Sequence, residues 1–186
     1  MSLFVGLPDK KYEIIYVDPP WSYDSRKGQM GAAENHYATV ADKELLAFPM
    51  RSLLADRAVV FMWATCPRLD FAIECLQAWG LHYRGVASVW VKTKQDGTPM
   101  GAAGVRPTFV KPNVEMLLVA STNRKGRSFP LLTESMRQVV TAPRGRHSEK
   151  PAVFRDRLVD LLGDRSRIEL FARTTAPGWD CWGNEV

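Results

Sequence analysis

The 186-residue chain is poor in the residues that staple or metallate small proteins, with three cysteines and three histidines. Cys66, Cys75 and Cys181 form no Cys-x-x-Cys pair, and only His36, His82 and His147 offer imidazole partners. That excludes a disulfide scaffold and the ligand spacing of structural zinc sites, so no metal is expected and the thiols are expected to be reduced. Long apolar runs are missing too. No stretch approaches the roughly 18 consecutive apolar residues that cross a bilayer, and the amino-terminal residues lack the basic-then-apolar layout of a signal peptide. The expectation is a cytoplasmic protein without membrane attachment. Internal repeats and low-complexity tracts are also absent.

What is present is the make-up of one globular domain, 46% apolar and 24% charged, with 13 Gly and 12 Pro, and residues 1–186 are read as that single domain. A chain of this length buries about 70% of its unfolded surface and needs no staple. Its net charge of +5 is unevenly placed. Residues 84–150 hold twelve Lys and Arg against four Asp and Glu, a local +8 against −3 elsewhere. A solvated basic face would account for this; so would a groove for a polyanion.

Hydrophobic patterning predicts strands alternating with helices. Residues 12–17 (YEIIYV) form an apolar run closed by proline, and residues 57–65 (RAVVFMWAT) form another. Residues 41–55 have helical spacing that Pro49 should split. Residues 68–79 place Leu69, Ala72, Ile73, Leu76 and Trp79 on one helix face, with Gly80 as C-cap. Further strands are predicted at 81–93, 114–121, 138–141 and 167–173, and a helix at 151–162, stopped by Gly163. This alternation predicts a three-layer α/β domain with a mainly parallel sheet and ligands beyond the carboxyl ends of its strands. Segments 22–37, 94–111 and 122–136 resist regular structure and are candidate binding loops.

Directly after the first strand stands Asp18-Pro19-Pro20-Trp21. Each proline fixes its own φ and keeps its predecessor extended, so the turn is stiff. Neither proline has an N–H, and the turn therefore presents a carboxylate, carbonyls and an indole. Those groups suit an aromatic amine: an exocyclic NH2 can donate to Asp18 and to the Pro19 carbonyl while its base stacks on Trp21. Two fixed acceptors localise the amine's lone pair, aim it, and favour positive charge developing on nitrogen. Asp18 is then either a general base or only an oriented acceptor. A rigid turn with a core tryptophan is the bland alternative.

With these residues the chain resembles the MT-A70 family of adenine N6-methyltransferases. The likeness rests on the Asp-Pro-Pro-Trp motif and on further matches in the family's order. These are His36-Tyr37 with Thr39, Phe61-Met62-Trp63, Val89-Trp90-Val91-Lys92-Thr93, Lys150-Pro151, Glu169-Leu170-Phe171-Ala172-Arg173, Trp179, and Gly183-Asn184-Glu185. The resemblance implies a Rossmann-like S-adenosylmethionine-dependent methyltransferase, permuted so that the catalytic motif precedes most of the cofactor-binding residues. It assigns Asp18, Pro19, Pro20 and Trp21 to the target adenine, with Asp18 also near the methionine end of the cofactor. Lys150 would meet the cofactor carboxylate. Arg173, Asn184 and Glu185 would hold the adenosine portion, with Glu169 and Phe171 walling its pocket; Trp63, Trp79 and Trp90 are read as core. After Arg173 the chain reads Thr174-Thr175-Ala176-Pro177-Gly178, shorter than the eukaryotic messenger-RNA enzyme and without its His-Asn pair, so that corner differs.

A small catalytic domain is most similar to the prokaryotic and bacteriophage members, whose expected substrate is DNA, and places the protein in a prokaryotic or phage-infected cytoplasm. The adenine would be flipped from duplex or taken from single strand. Tyr37, on a loop closing the site, and Lys94, Arg106, Lys111, Arg124, Lys125, Arg127, Arg144 and Arg146, in irregular segments, are the candidate nucleic-acid contacts, the basic ones to the backbone rather than the bases. Three alternatives stand beside this reading: an RNA adenine-N6 enzyme, a cytosine-N4 DNA enzyme, and a non-catalytic nucleic-acid-binding subunit of a methyltransferase pair. A homodimer or a partner subunit is compatible with each.

Overall fold

The computed structural model describes residues 4–23, 40–100, 112–145 and 149–186. Among them the apolar runs become seven strands: β1 (Tyr12–Val17), β2 (Leu54–Thr65), β3 (His82–Thr93), β4 (Val114–Ser121), β5 (Val139–Pro143), β6 (Arg167–Leu170) and β7 (Asp180–Trp182). The helices are α1 (Asp42–Leu46), α2 (Met50–Leu53), α3 (Leu69–Ala78) and α4 (Val153–Leu162). Pro49 splits the segment 41–55 as expected, and Leu54 already belongs to β2. Gly80 supplies the positive φ (81°) that ends α3.

The strands join one sheet in the order β5-β3-β4-β2-β1-β6-β7. Strand β1 lies parallel to β2 and β6, β3 to β5, and β6 to β7, whereas β4 runs antiparallel to both its neighbours. The sheet is therefore mixed, mainly parallel with one reversed strand. A parallel β3–β4 pair would need a crossover element, and the described residues between them contain none.

Because β1 and β2 are buried on both faces, their alternate residues enter two cores. Ile15, Val17, Val60 and Met62 pack with Leu45, Leu53, Cys75 and Leu76 of α1, α2 and α3. Ile14, Tyr16, Phe61 and Trp63 pack with Phe154, Leu158 and Leu162 of α4. This is the three-layer α/β/α, Rossmann-like arrangement that the sequence predicts, with β1 near the middle of the sheet. Trp63, Trp79 and Trp90 are buried as expected.

Two carboxyl-terminal features depart from the periodicity. Strand β6 stops at Leu170 rather than Arg173, because Phe171 adopts φ 58°, a left-handed conformation rare for a bulky side chain. Strand β7 was invisible in the pattern: three residues between Gly178 and Gly183 hold too little alternation to register.

Candidate active site

A cavity of about 270 Å³ opens where β1, β2 and β6 end, and its walls include Asp18, Pro19, Pro20, Trp21, Lys150 and the Phe171–Arg173 turn. It occupies the place expected for a ligand site in an open α/β sheet. The proline turn hangs from the neighbouring strand ends. Asp18 donates its N–H to the Leu170 carbonyl (3.4 Å), Trp21 donates back to the Pro19 carbonyl (2.8 Å), and Val40 donates to the Pro20 carbonyl (3.1 Å). A carbonyl oxygen has two lone pairs, so Pro19 retains one for a ligand.

The Asp18 carboxylate is the outer member of a chain of charges. Lys150 Nζ lies 2.6 Å from Asp18 Oδ2 and 3.3 Å from Glu115 Oε2, and Lys92 Nζ lies 2.5 Å from Glu115 Oε1. Two anions and two cations balance, which is what allows such groups to stay ionised away from water. Burial pushes the Asp18 carboxyl above its usual range; Lys150 opposes that push and Glu115 reinforces it. Burial acts the same way on Glu115, but Lys150 and Lys92 outweigh it and hold that carboxyl below its usual range. Burial would lower Lys150, yet Asp18 and Glu115 dominate and keep its ammonium charged well above its ordinary range. Trp63, otherwise a core residue, also lines the cavity, with Lys150 Nζ 5.6 Å from its ring centroid.

The opposite wall differs in chemistry. Arg173 Nε lies 3.4 Å from Glu185 Oε1, and Asn184 and Phe171 complete that side. Ala172 donates its N–H to the Trp182 carbonyl (3.0 Å). A Cβ on Gly183 would sit 2.1 Å from the Ala172 oxygen, so only glycine lets this strand end press against the 171–173 turn.

Three of the expected site residues meet other parts of the chain. Glu169 does not line the cavity: it is buried and ion-paired with Arg155 of α4 at 2.5 Å. The partners found for Lys150 are carboxylates of the chain itself. Trp21 lines the cavity but is 3% exposed, packed against Phe71 and Arg68, so it forms a wall more than an open stacking platform.

The basic residues divide by position. Lys94 and Arg144 follow the ends of β3 and β5 at the cavity end of the sheet, where Arg144 donates its N–H to the carbonyl of Thr93, the residue before Lys94 (3.0 Å). Arg124, Lys125 and Arg127 follow the end of β4, and β4 is reversed, pairing Glu115 with Thr65 but Ser121 with Val59. At about 3.3 Å per residue they lie roughly 20 Å from Glu115, at the far end of the sheet, and are not brought to the site. Tyr37, Arg106, Lys111 and Arg146 lie outside the described residues.

Sequence reasoning missed Glu115 and Lys92 as site residues, and with them Tyr23 and Thr65, whose hydroxyls meet at 2.8 Å beside the cavity. One signal was available for Glu115: it is the only charged residue in VEMLLVAS, and an acid on a buried strand requires a cationic partner. Among the described residues no cluster of His, Cys, Asp and Glu could hold a metal ion. None of the described helices is long and apolar enough to cross a membrane.

Comparison with known proteins agrees with this geometry. The MT-A70 family model matches residues 12–185. The chain is 32% identical to the Type II methyltransferase M.MunI of Mycoplasma sp over 203 aligned residues, covering all of this chain and 82% of that protein. It is 33% identical to the N6-methyladenosine RNA methyltransferase MTA1 of Pyricularia oryzae, covering 94% of this chain and 47% of the relative. Identity to the N(6)-adenine-specific methyltransferase METTL4 of Mus musculus is 28%, over 95% of this chain and 38% of that protein.

Proposed function

Given that the chain belongs to the MT-A70 family, we propose that it methylates the exocyclic N6 amine of adenine in a nucleic acid, DNA rather than RNA, with S-adenosylmethionine as methyl donor. The observation that carries this reading is the Asp18 carboxylate, held by Lys150 at 2.6 Å on the wall of a cavity where three strands end. DNA is favoured because the Type II methyltransferase is matched over 82% of its own length, whereas the relative named for RNA is matched over 47% of its own.

The cavity walls suit that cofactor. Carboxylates at Asp18 and Glu115 favour a sulfonium cation, Asn184 and the Arg173–Glu185 pair offer partners for ribose hydroxyls, and Phe171 offers an apolar wall. When bound, the cofactor supplies an electrophilic methyl group. The chain supplies orientation and charge. Asp18 and the free lone pair of Pro19 accept the two amine hydrogens, drawing the nitrogen lone pair out of the ring and aiming it. As the nitrogen becomes positive, the Asp18 carboxylate stabilises it and accepts the proton shed on transfer. Lys150 keeps that carboxylate ionised and oriented, and Glu115, balanced by Lys92, keeps Lys150 in place. Lys94 and Arg144 sit where phosphates beside the target nucleotide would pass.

One experiment tests the reading. The purified protein is incubated with DNA and with RNA plus labelled S-adenosylmethionine, and the products are digested to nucleosides. N6-methyldeoxyadenosine is expected. N4-methylcytosine, or N6-methyladenosine from RNA alone, would replace it with one of the alternatives, and no labelled nucleoside from either would overturn it.

A further inference from the structure

The two prolines stiffen the Asp18 side of the catalytic turn, but nothing covalent restrains the chain beyond Trp21. Arg68 does so through space. It lies in the 3-10 turn Cys66–Arg68 between β2 and α3, and its guanidinium sits 4.3 Å from the Phe71 ring centroid and 5.8 Å from that of Trp21. Phe71 meets Trp21 edge to face, with centroids 6.0 Å apart and planes at 77°. The same guanidinium donates to Asp42 Oδ1 at 2.5 Å, and Ser22 Oγ donates to that same oxygen at 3.0 Å. Trp21 also bridges in its backbone to Val40, two residues before Asp42. The side chain of Trp21 and that of the residue after it are thus held by one ion pair that joins the start of α1 to the start of α3. The Arg68 side chain is 18% exposed, so this pair is partly shielded from solvent.

We propose that Arg68 is a positioning residue for methyl transfer, seating Trp21 and the outgoing end of the catalytic turn through its joint contact with Phe71 and Asp42. The proposal rests on the function given above for Asp18 and its turn. Only arginine fits the role. A planar guanidinium can stack on a ring face while its edge donates to a carboxylate, and a lysine ammonium cannot do both. A residue serving only to balance the Asp42 charge would be replaced by lysine without loss.

The test uses the full chain labelled with 5-fluorotryptophan, whose six tryptophans give separate fluorine NMR lines. The Trp21 line is assigned by its loss in Trp21→Phe. In Arg68→Lys, Arg68→Met and Asp42→Asn the Trp21 line is expected to shift or broaden while the other five hold their positions. Methyl-transfer kcat should fall about tenfold with S-adenosylmethionine affinity unchanged, since misplacing a positioned group costs turnover rather than remote binding. An unmoved Trp21 line in Arg68→Lys and Asp42→Asn would overturn the proposal, as would wild-type kcat in Arg68→Lys. Should Arg68→Met fail to fold, the other two variants decide. If the wild-type protein methylates no nucleic acid, the functional reading fails, while the Trp21 line still reports whether Arg68 seats that ring.

Discussion

At the carboxyl ends of β1 and β2, Asp18, Lys150, Glu115 and Lys92 form an unbroken chain of ion pairs and are largely withdrawn from solvent. At the far end of β4, Arg124 and Lys125 are exposed, on a turn closed by Gly126 with its φ of 70°. The second group carries more net charge, but the first lines the cavity to which we assign the chemistry. Charges in water are screened and individually worth little, whereas charges converging in a partly dry cavity fix one another's protonation and direction. A count of basic residues along the chain therefore locates an electrostatic bias and not a site.

The sharpest way to break this contrast is Asp18→Ala, which removes the acceptor and should cut methyl transfer by about a thousandfold or more. Isothermal titration should still detect S-adenosylmethionine binding; full activity in this variant would end the assignment. Next in size is Lys150→Met, which leaves the Asp18 and Glu115 carboxylates facing each other without their shared cation. Breaking a buried pair in this way should cost about 3–5 kcal/mol, measured by urea unfolding at neutral pH.

The pH dependence sharpens the same point. In the proposed mechanism turnover needs the Asp18 carboxylate ionised, so activity should be lost as pH falls through its pKa. Burial lifts that pKa above the ordinary 3.8, so the acid limb of the pH–rate profile should lie above it. Replacing Lys150 with Gln removes the group that favours the charged form and should move the limb to still higher pH. A limb that stays put would separate Lys150 from Asp18 in function. Smallest are the effects of surface charge. Lys94→Glu or Arg144→Glu should weaken nucleic-acid binding and flatten its log–log salt dependence by about 0.9 for each phosphate no longer neutralised. Arg124→Glu and Lys125→Glu should leave both nearly unchanged, and an equal weakening at the two ends of the sheet would erase the distinction.

Much of this architecture could be read in advance because local rules decided it. The apolar run Tyr12–Val17 closed by proline predicted β1, Pro49 predicted the break between α1 and α2, and Gly80 predicted the end of α3. The motif after β1 was legible because two prolines restrict the backbone whatever surrounds them. Glu115 was legible as a buried acid in need of a cation but not as a site residue, since its place depends on which strand lies beside β2 and in which direction it runs. The distance of Arg124, Lys125 and Arg127 from the cavity has the same origin: a reversed β4 sends the chain after it away from that end of the sheet. The Glu169 ion pair was not legible because the strand pattern does not reveal that Arg155 of α4 lies on the face it enters.

The amino-acid order by itself determined every strand but β7, the helix stops and a rigid acidic turn, because these arise from φ restriction and from burial periods of two and 3.6 residues, which act over a few neighbours. The tertiary structure alone decided which charges meet: Asp18, Glu115 and Lys150 are remote along the chain. Only the packing of β1, β4 and the segment before α4 sets Lys150 2.6 Å from one carboxylate and 3.3 Å from the other, where opposite charges offset part of the cost of withdrawing each from water.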